Sequence, residues 1–170
     1  MAHNKEDIKR EGYLGSVEAK IHYIAESFKD CGYMFANYSQ ANVELDRISK
    51  PTILYVLPPA GQLSLYHDMA IDKPSVMLWF LCPADFDFHG RDNECRVEAM
   101  KRLGIRFIDA INKSGLFQYI TDIPYQVAYD AFDANLTGVC LTPVLEEKQG
   151  IFLCSGEYLR AWSSEQEEGQ

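Results

Sequence analysis

The first half of the chain changes from helical to strand-like spacing of its apolar residues. An amphipathic helix is predicted from Ser16, a suitable N-cap, to Gly32, a suitable stop. Its apolar stripe consists of Val17, Ile21, Ile24, Ala25 and Phe28. A short second helix over 39–48 would carry Val43, Leu45 and Ile48. Strands are then predicted for "PTILYVL", "QLSLYHD" and "SVMLWFLC", with turns at "PPAG" and "DKP".

The clearest helical pattern covers residues 93–114. Asp92 or Asn93 can cap this helix, and Gly115 after "KS" can end it. Its apolar face consists of Val97, Met100, Gly104, Phe107, Ile108 and Ile111. A helix with this stripe is expected to bury one face against a sheet.

Strand patterns return after the long helix, in "LFQYITD", "YQVAYDAFD", "GVCLTPVL" and "IFLC". Because proline cannot donate to a strand ladder, Pro143 predicts that the third of these strands lies at a sheet edge or contains a bulge. Runs of strands around one long helix predict an α+β fold. We expect a single domain with a mainly antiparallel sheet, the long helix packed across it, and an N-terminal helix.

The predicted domain covers residues 16–154 and leaves an arm at each end. The N-terminal arm, 1–15, is polar, and the C-terminal arm, 155–170, is acidic. The C-terminal arm also carries an apolar patch of Tyr158, Leu159 and Trp162. Three such side chains are too few to form a core of their own, so we expect them to lie against a groove.

Composition and charge narrow the possible functions. The 170 residues are 47% apolar and 24% charged, which is typical of a globular domain. The apolar runs fall far short of the roughly 20 residues of a spanning helix, and no secretory signal is recognisable, so we expect a cytosolic origin without a membrane. A net charge of −9 argues against a surface that grips nucleic-acid phosphates. Five cysteines without CxxC spacing predict free thiols.

The loop "CPADFDFHGRDNEC" is the candidate metal site. Asp85, Asp87, His89 and Asp92 are ligand types for a divalent ion and would serve a metal-dependent hydrolase. The plainer interpretation is an amphipathic strand end followed by acidic residues at a helix N-terminus. Because the spacing fits no known metal-binding loop, we expect no convergence on an ion. With no GxSxG, HExxH, P-loop or GxGxxG motif in the sequence, we expect no enzyme, catalytic residue or cofactor.

The aromatic segment "YQVAYDAFDANLTGVCLTPVL" predicts a hairpin with a turn at "FDANLTG". Tyr129 and Phe132 on this hairpin are candidates for a subunit or partner interface. The apolar patch of the C-terminal arm, Tyr158, Leu159 and Trp162, completes the predicted interface.

The pattern as a whole resembles the tail-terminator and neck (head–tail connector) proteins of tailed bacteriophages. The shared features are an N-terminal helix, the proline-led strand "KPTILYVLPPAG", a helix lying across the sheet and a final pair of strands entered through "DANLTGVCLTPVL". The resemblance covers roughly residues 16–154. The aromatic strands and the acidic C-terminal arm depart from it.

This resemblance implies a structural virion protein. Such proteins form a homo-oligomeric ring at the neck or tail end, assembled in the host cytoplasm, which contacts neighbouring virion proteins and lets DNA pass without specific binding. An acidic wall would suit that passage because it repels phosphate. Two alternatives stay open: the metal-dependent hydrolase, and a host adaptor domain that binds one protein through an edge strand.

Overall fold

The computed structural model describes residues 17–57, 60–66, 69–84, 90–132, 134–148 and 151–152. Three α-helices and eight strands follow one another in these segments. In chain order they are α1 (Val17–Ala25), β1 (Gly32–Ala36), α2 (Tyr38–Glu44) with a 3₁₀ turn (Leu45–Arg47), β2 (Thr52–Val56), β3 (Gly61–Tyr66), β4 (Met69–Pro74), β5 (Met77–Pro83), α3 (Gly90–Ser114), β6 (Tyr125–Ala131), β7 (Leu136–Leu141) and β8 (Ile151–Phe152).

Five strands form the main sheet, in the order β1-β2-β5-β7-β6. β1 runs parallel to β2, and the other neighbouring pairs are antiparallel. In the centre of the sheet, Phe80 on β5 lies opposite Ile53 on β2 and Val139 on β7. The predicted α+β fold with a mainly antiparallel sheet is confirmed.

Helices α3 and α1 cover one face of the main sheet. α3 packs across β7 and β5, and α1 packs against α3. The Phe107 ring is fully buried here, 5.7 Å from the ring of Phe80 and 5.3 Å from the ring of Phe28. At Gly104 a side chain would meet Leu141 at 2.8 Å, so the small residue lets the helix approach the sheet closely. The predicted long helix across the sheet is therefore confirmed.

The opposite face of the sheet is partly covered by α2. A capping box begins this helix: the Asn37 side chain accepts from the Gln40 N–H, and the Gln40 side chain accepts from the Asn37 N–H. Ala41 and Leu45 are buried under it against Leu54 and Leu81 of the sheet. The domain thus has two apolar clusters, with the sheet between them.

Three strands form a second, smaller sheet, in the order β3-β4-β8. β3 and β4 form a hairpin that connects the ends of β2 and β5. β8 pairs with the tip end of β4, where Phe152 lies opposite Met69. An ion pair between Lys73 and Glu146, 3.0 Å apart, also holds β4 to the segment after β7.

The structure corrects several boundaries. α1 ends at Ala25, and Gly32 begins β1 rather than ending the helix. β4 runs through the predicted "DKP" turn. Residues 116–122 contribute a single bridge, Phe117 to Glu147, rather than a strand. α3 begins at Gly90, a few residues before its predicted caps, and ends as predicted at Gly115, whose φ of +72° suits glycine.

The position of β7 also differs from the prediction. This strand lies between β5 and β6, and not at an edge. β7 ends at Leu141, so Pro143 lies beyond its paired residues and removes no hydrogen bond from the sheet. The irregular pairing in this hairpin is on β6, between Ala128 and Ala131.

Candidate functional site

The proposed metal loop lies almost wholly outside the described residues. Asp85, Asp87 and His89 are not among them, whereas Asp92 is an exposed residue in the first turn of α3. Within the described segments no three His, Cys, Asp or Glu side chains are grouped so as to hold a metal ion. The prediction that the loop does not converge on an ion therefore stays a prediction.

The predicted interface residue Phe132 packs within its own chain. Its ring stacks on Tyr38 at 5.7 Å and meets Trp79 edge-on at 5.0 Å. The backbone of Phe132 has a φ of +63°, a strained conformation for a bulky residue. These aromatic contacts hold the ring at the turn between β6 and β7. We call Tyr38, Trp79 and Phe132 the aromatic cluster.

The polar atoms of the aromatic cluster lack strong hydrogen-bond partners among the described residues. The Tyr38 hydroxyl donates to the Met77 sulfur at 3.3 Å, and the buried Trp79 indole N–H has no acceptor among the described residues. Burial, followed by the nearby Cys140, raises the pKa of Tyr38, and the Trp79 side chain opposes that shift. Burial raises the pKa of Cys140 to about 12. The cluster therefore offers neither a thiolate nor a phenolate at neutral pH.

A second polar group lies on the other face, where Glu18, His22 and Tyr33 meet. The Tyr33 hydroxyl donates to Glu18 at 3.1 Å, and the His22 ring stacks on the Tyr33 ring at 4.8 Å. Burial, and then the Glu18 carboxylate, raise the pKa of Tyr33 far above its usual value. A tyrosine held so firmly in its neutral form is a poor general base.

The core contains one ion pair that sequence reasoning missed. Lys20 on α1 donates to Glu147, and their side chains are only 2% and 5% exposed. The Phe117 ring lies beside the ammonium group, with its centroid 5.9 Å away. A sequence signal existed, because Lys20 falls three residues after Val17 and four before Ile24, on the apolar stripe of the helix.

Two exposed tyrosines lie on β6, which is an edge strand of the main sheet. Tyr129, a predicted interface residue, is 52% exposed, and Tyr125 is 56% exposed. The Lys101 ammonium of α3 lies 5.0 Å from the centroid of the Tyr125 ring. Tyr125 was absent from the predicted set, although its position four residues before Tyr129 in a strand-like segment was available as a signal.

A second exposed apolar stretch lies on β3, an edge strand of the small sheet. Leu63 and Leu65 share one face of this strand and are 68% and 70% exposed. The alternating pattern of "QLSLY" predicted a half-exposed strand, and the structure places the leucines on its exposed side. Tyr158, Leu159 and Trp162, the remaining predicted interface residues, lie outside the described residues.

Comparisons with known proteins add no identification. Neither the sequence models of protein families nor the curated proteins contain a match to this chain. No helix in the described segments is long and apolar enough to cross a membrane.

Proposed function

We propose that this protein is a structural subunit of a homo-oligomeric ring at the neck or tail end of a tailed bacteriophage, through which DNA passes. The observation that carries the proposal is the pair of exposed apolar edge strands, β3 with Leu63 and Leu65, and β6 with Tyr125 and Tyr129. Large apolar side chains on edge strands are unusual for a monomer and suit contact with another chain.

The location of the two edges favours a ring. β3 belongs to the small sheet and β6 to the main sheet, so the two apolar edges are different surfaces of one subunit. Contact between unlike surfaces is heterologous, and a repeated heterologous contact forms a ring when its rotation closes and an open filament when it does not. In the proposed ring the rotation closes. A two-fold dimer would instead use one surface twice.

The negative net charge of the chain supports the proposed passage of DNA through the ring. At −9 the protein has a surplus of carboxylates that would repel DNA phosphates in a lumen, so DNA could slide through without being held. In this proposal the chain works by its shape and charge, has neighbouring neck or tail proteins as further partners, and carries out no catalysis.

Mass photometry of the purified full-length chain, with negative-stain images of the same sample, tests the ring. We expect one closed species of defined copy number. Leu65→Lys should shift the population toward monomers, whereas the matched control Val43→Lys, which replaces a 68% exposed side chain on α2, should not. A chain that stays monomeric at all accessible concentrations would contradict the ring and favour the adaptor domain, which needs only one edge strand and a different protein partner.

A further inference from the structure

The outer edge of β3 presents backbone groups that no described strand pairs with. The Ser75 N–H donates to the Ala60 carbonyl at 2.9 Å, in register with the β3–β4 ladder. Bonded and non-bonded pairs alternate in an antiparallel ladder, so Leu63 and Leu65 direct their N–H and C=O groups away from β4. Among the described residues nothing bonds to that side of the strand. The edge of β3 is therefore open to a further strand.

The edge of β6 is open in the same way. The Thr142 N–H donates to the Pro124 carbonyl at 3.0 Å, in register with the β6–β7 ladder. The same alternation directs the backbone N–H and C=O groups of Tyr125 and Val127 away from β7. No residue in the described segments bonds to these groups. The bulge in this strand lies beyond both positions, so this part of the edge is regular.

On both edges the residues with open backbone groups also carry exposed apolar side chains. Leu63 and Leu65 are 68% and 70% exposed, and Tyr125 is 56% exposed. An added strand would therefore gain hydrogen bonds and cross-strand apolar contacts at the same positions. Neither 61–66 nor 125–128 contains a bulge or a charged side chain, the features that normally block the addition of a strand. Both edges are therefore unprotected.

The other two edge strands fit β3 less well. On β1, the Tyr33 hydroxyl donates to Glu18 and the Tyr33 ring stacks on His22. The Phe35 ring packs on Tyr55 at 5.2 Å. The large side chains of β1 are thus engaged within their own chain. β8 is 2 residues long, which is too short to hold a partner strand. β6 is therefore the edge that matches β3.

A second copy of this chain is the partner that supplies the missing edge. Within one chain β3 and β6 belong to different sheets and are not paired, so each copy offers both open edges. Charge does not oppose the contact, because Lys101 beside Tyr125 is paired with Glu98, and Lys73 beside β3 is paired with Glu146. Edges without unpaired cations are also poor sites for a nucleic acid.

We propose that β3 of one copy adds as an antiparallel strand to β6 of the next copy, with Leu63 opposite Val127 and Leu65 opposite Tyr125. In this register each of the two pairs exchanges both of its backbone hydrogen bonds. The leucines lie on the same face of the joined sheet as Tyr125 and Val127. The contact rests on the proposed ring and identifies the bond between its subunits, a sheet that continues from one copy into the next.

The antiparallel direction follows from the positions of the open backbone groups. In a parallel ladder a bonded residue lies opposite a residue that is not bonded to it, as in β1 and β2, where Gly32 lies opposite Thr52 but donates to Pro51. A parallel addition would therefore place Leu63 opposite Gln126, on the face away from the exposed tyrosine of β6. The antiparallel direction places these apolar side chains on one face.

Disulfide formation between copies tests the register. In this arrangement Ser64 and Gln126 form a non-bonded pair, whose Cα atoms lie about 4.5 Å apart and suit a disulfide. One batch of the full-length chain carries Ser64→Cys and another carries Gln126→Cys, both with the exposed Cys95 changed to Ser. The batches are mixed and oxidised, and the linked peptides are identified by mass spectrometry. We expect cross-links between the batches to form about 10-fold faster than with the control Gln62→Cys in place of Ser64→Cys, since that position is a diagonal neighbour.

Proline at position 63 separates strand pairing from side-chain packing. Leu63→Pro removes an N–H that faces away from β4, so the hairpin keeps its own hydrogen bonds while the edge loses a donor. Leu63→Ala removes the side chain and keeps the donor. By mass photometry we expect Leu63→Pro to weaken assembly about 10-fold more than Leu63→Ala does. Equal losses overturn the pairing. The melting temperature of Leu63→Pro checks its fold, and Leu65→Pro against Leu65→Ala repeats the comparison at the second open position.

The outcomes distinguish this contact from the proposed function. Cross-links between Ser64→Cys and Gln126→Cys in an open filament support the strand pairing and overturn the ring. A closed ring that lacks these cross-links and tolerates Leu63→Pro overturns the pairing and leaves the ring standing. Cross-links between two copies that both carry Ser64→Cys show β3 paired with itself about a two-fold axis, which also overturns the inference. A chain that stays monomeric and forms no cross-link overturns both.

Discussion

At the scale of single residues, the buried ion pair of Lys20 and Glu147 connects α1 to the segment after β7. Both charges are removed from water, a cost that their attraction offsets only while both partners are present. The contact therefore joins two distant parts of the chain without adding much net stability of its own. Removal of one partner leaves the other charge buried without compensation and should strongly destabilise the fold.

Lys20→Met alone should lower the free energy of unfolding by about 3–5 kcal/mol, because it leaves the Glu147 carboxylate buried and unpaired. Lys20→Met combined with Glu147→Leu should regain most of that loss, since neither charge then needs a partner. Urea unfolding of the two variants measures both values. Losses that simply add in the double variant would show that the two side chains are not coupled.

The buried Cys140 thiol makes stability depend on pH at the alkaline end. Its pKa is raised to about 12 by burial, whereas an unfolded thiol titrates near 9.0. The unfolded chain therefore loses this proton first, and its contribution to stability, complete below pH 9.0, is lost as the pH rises toward 12. Tyr55 is also raised to about 12 by burial and adds a similar loss that begins near 10.0.

Cys140→Ala should flatten the pH dependence of stability at alkaline pH. Thermal unfolding between about pH 8 and pH 10.5 should show a smaller decline for the variant than for the original chain, because the titrating thiol is gone while Tyr55 is common to both. The comparison uses slopes, so the cavity left by the smaller side chain does not affect it. Parallel curves would mean that Cys140 titrates normally in the folded protein.

At the scale of elements, α3 organises the larger core. Phe107 is fully buried between the rings of Phe28 and Phe80. Its ring therefore joins α3 to the segment that follows α1 and to β5. Phe107→Ala should cost about 3–5 kcal/mol of unfolding free energy. Ile105→Ala, on the exposed side of the same helix, should cost less than about 0.5 kcal/mol. A loss below about 1 kcal/mol at Phe107 would show that this face is not part of the core.

Elements with a repeated apolar period were predictable, and those with mixed signals were not. The stripe from Val97 to Ile111 located α3 to within a few residues at its start and correctly at its end. β1 was missed because "GYMFA" follows a helical stripe and begins with glycine, a common helix terminator. β4 was missed because Asp72, Lys73 and Pro74 read as a turn, although Pro74 can end a strand.

The predicted site could be only partly read from the sequence. Tyr129 was predicted from its place in an aromatic hairpin segment; the structure places it on β6 as an exposed residue, and its role in an interface stays a prediction. Phe132 was grouped with it, but its ring is held by Tyr38 and Trp79, which are distant in the chain, and no local pattern shows that contact. Lys101 could not be linked to Tyr125 for the same reason, since their proximity depends on how α3 crosses the sheet.

At the scale of the whole molecule, the C-terminal arm should matter for assembly and not for folding. Among the described residues, both apolar clusters are built between Val17 and Leu145, and we expect residues 156–170 to add little to them. Deletion of 156–170 should therefore leave the melting temperature nearly unchanged while it lowers the mass of the assembly. Differential scanning calorimetry beside mass photometry makes the comparison. A collapsed melting temperature with unchanged assembly would place the arm on its own domain.

The order of the strands also has a consequence for how the chain acquires its structure. β5 and β7 are neighbours in the sheet, yet the whole of α3 separates them along the chain. Their pairing is a non-local step, which is slow relative to the formation of α3 from contacts within itself. During synthesis β5 emerges from the ribosome well before β7. The backbone groups along one edge of β5 therefore have no hydrogen-bond partner until β7 has been made. We therefore expect a folding chain halted before Leu136 to bind chaperones, and one that extends past Leu141 to be released.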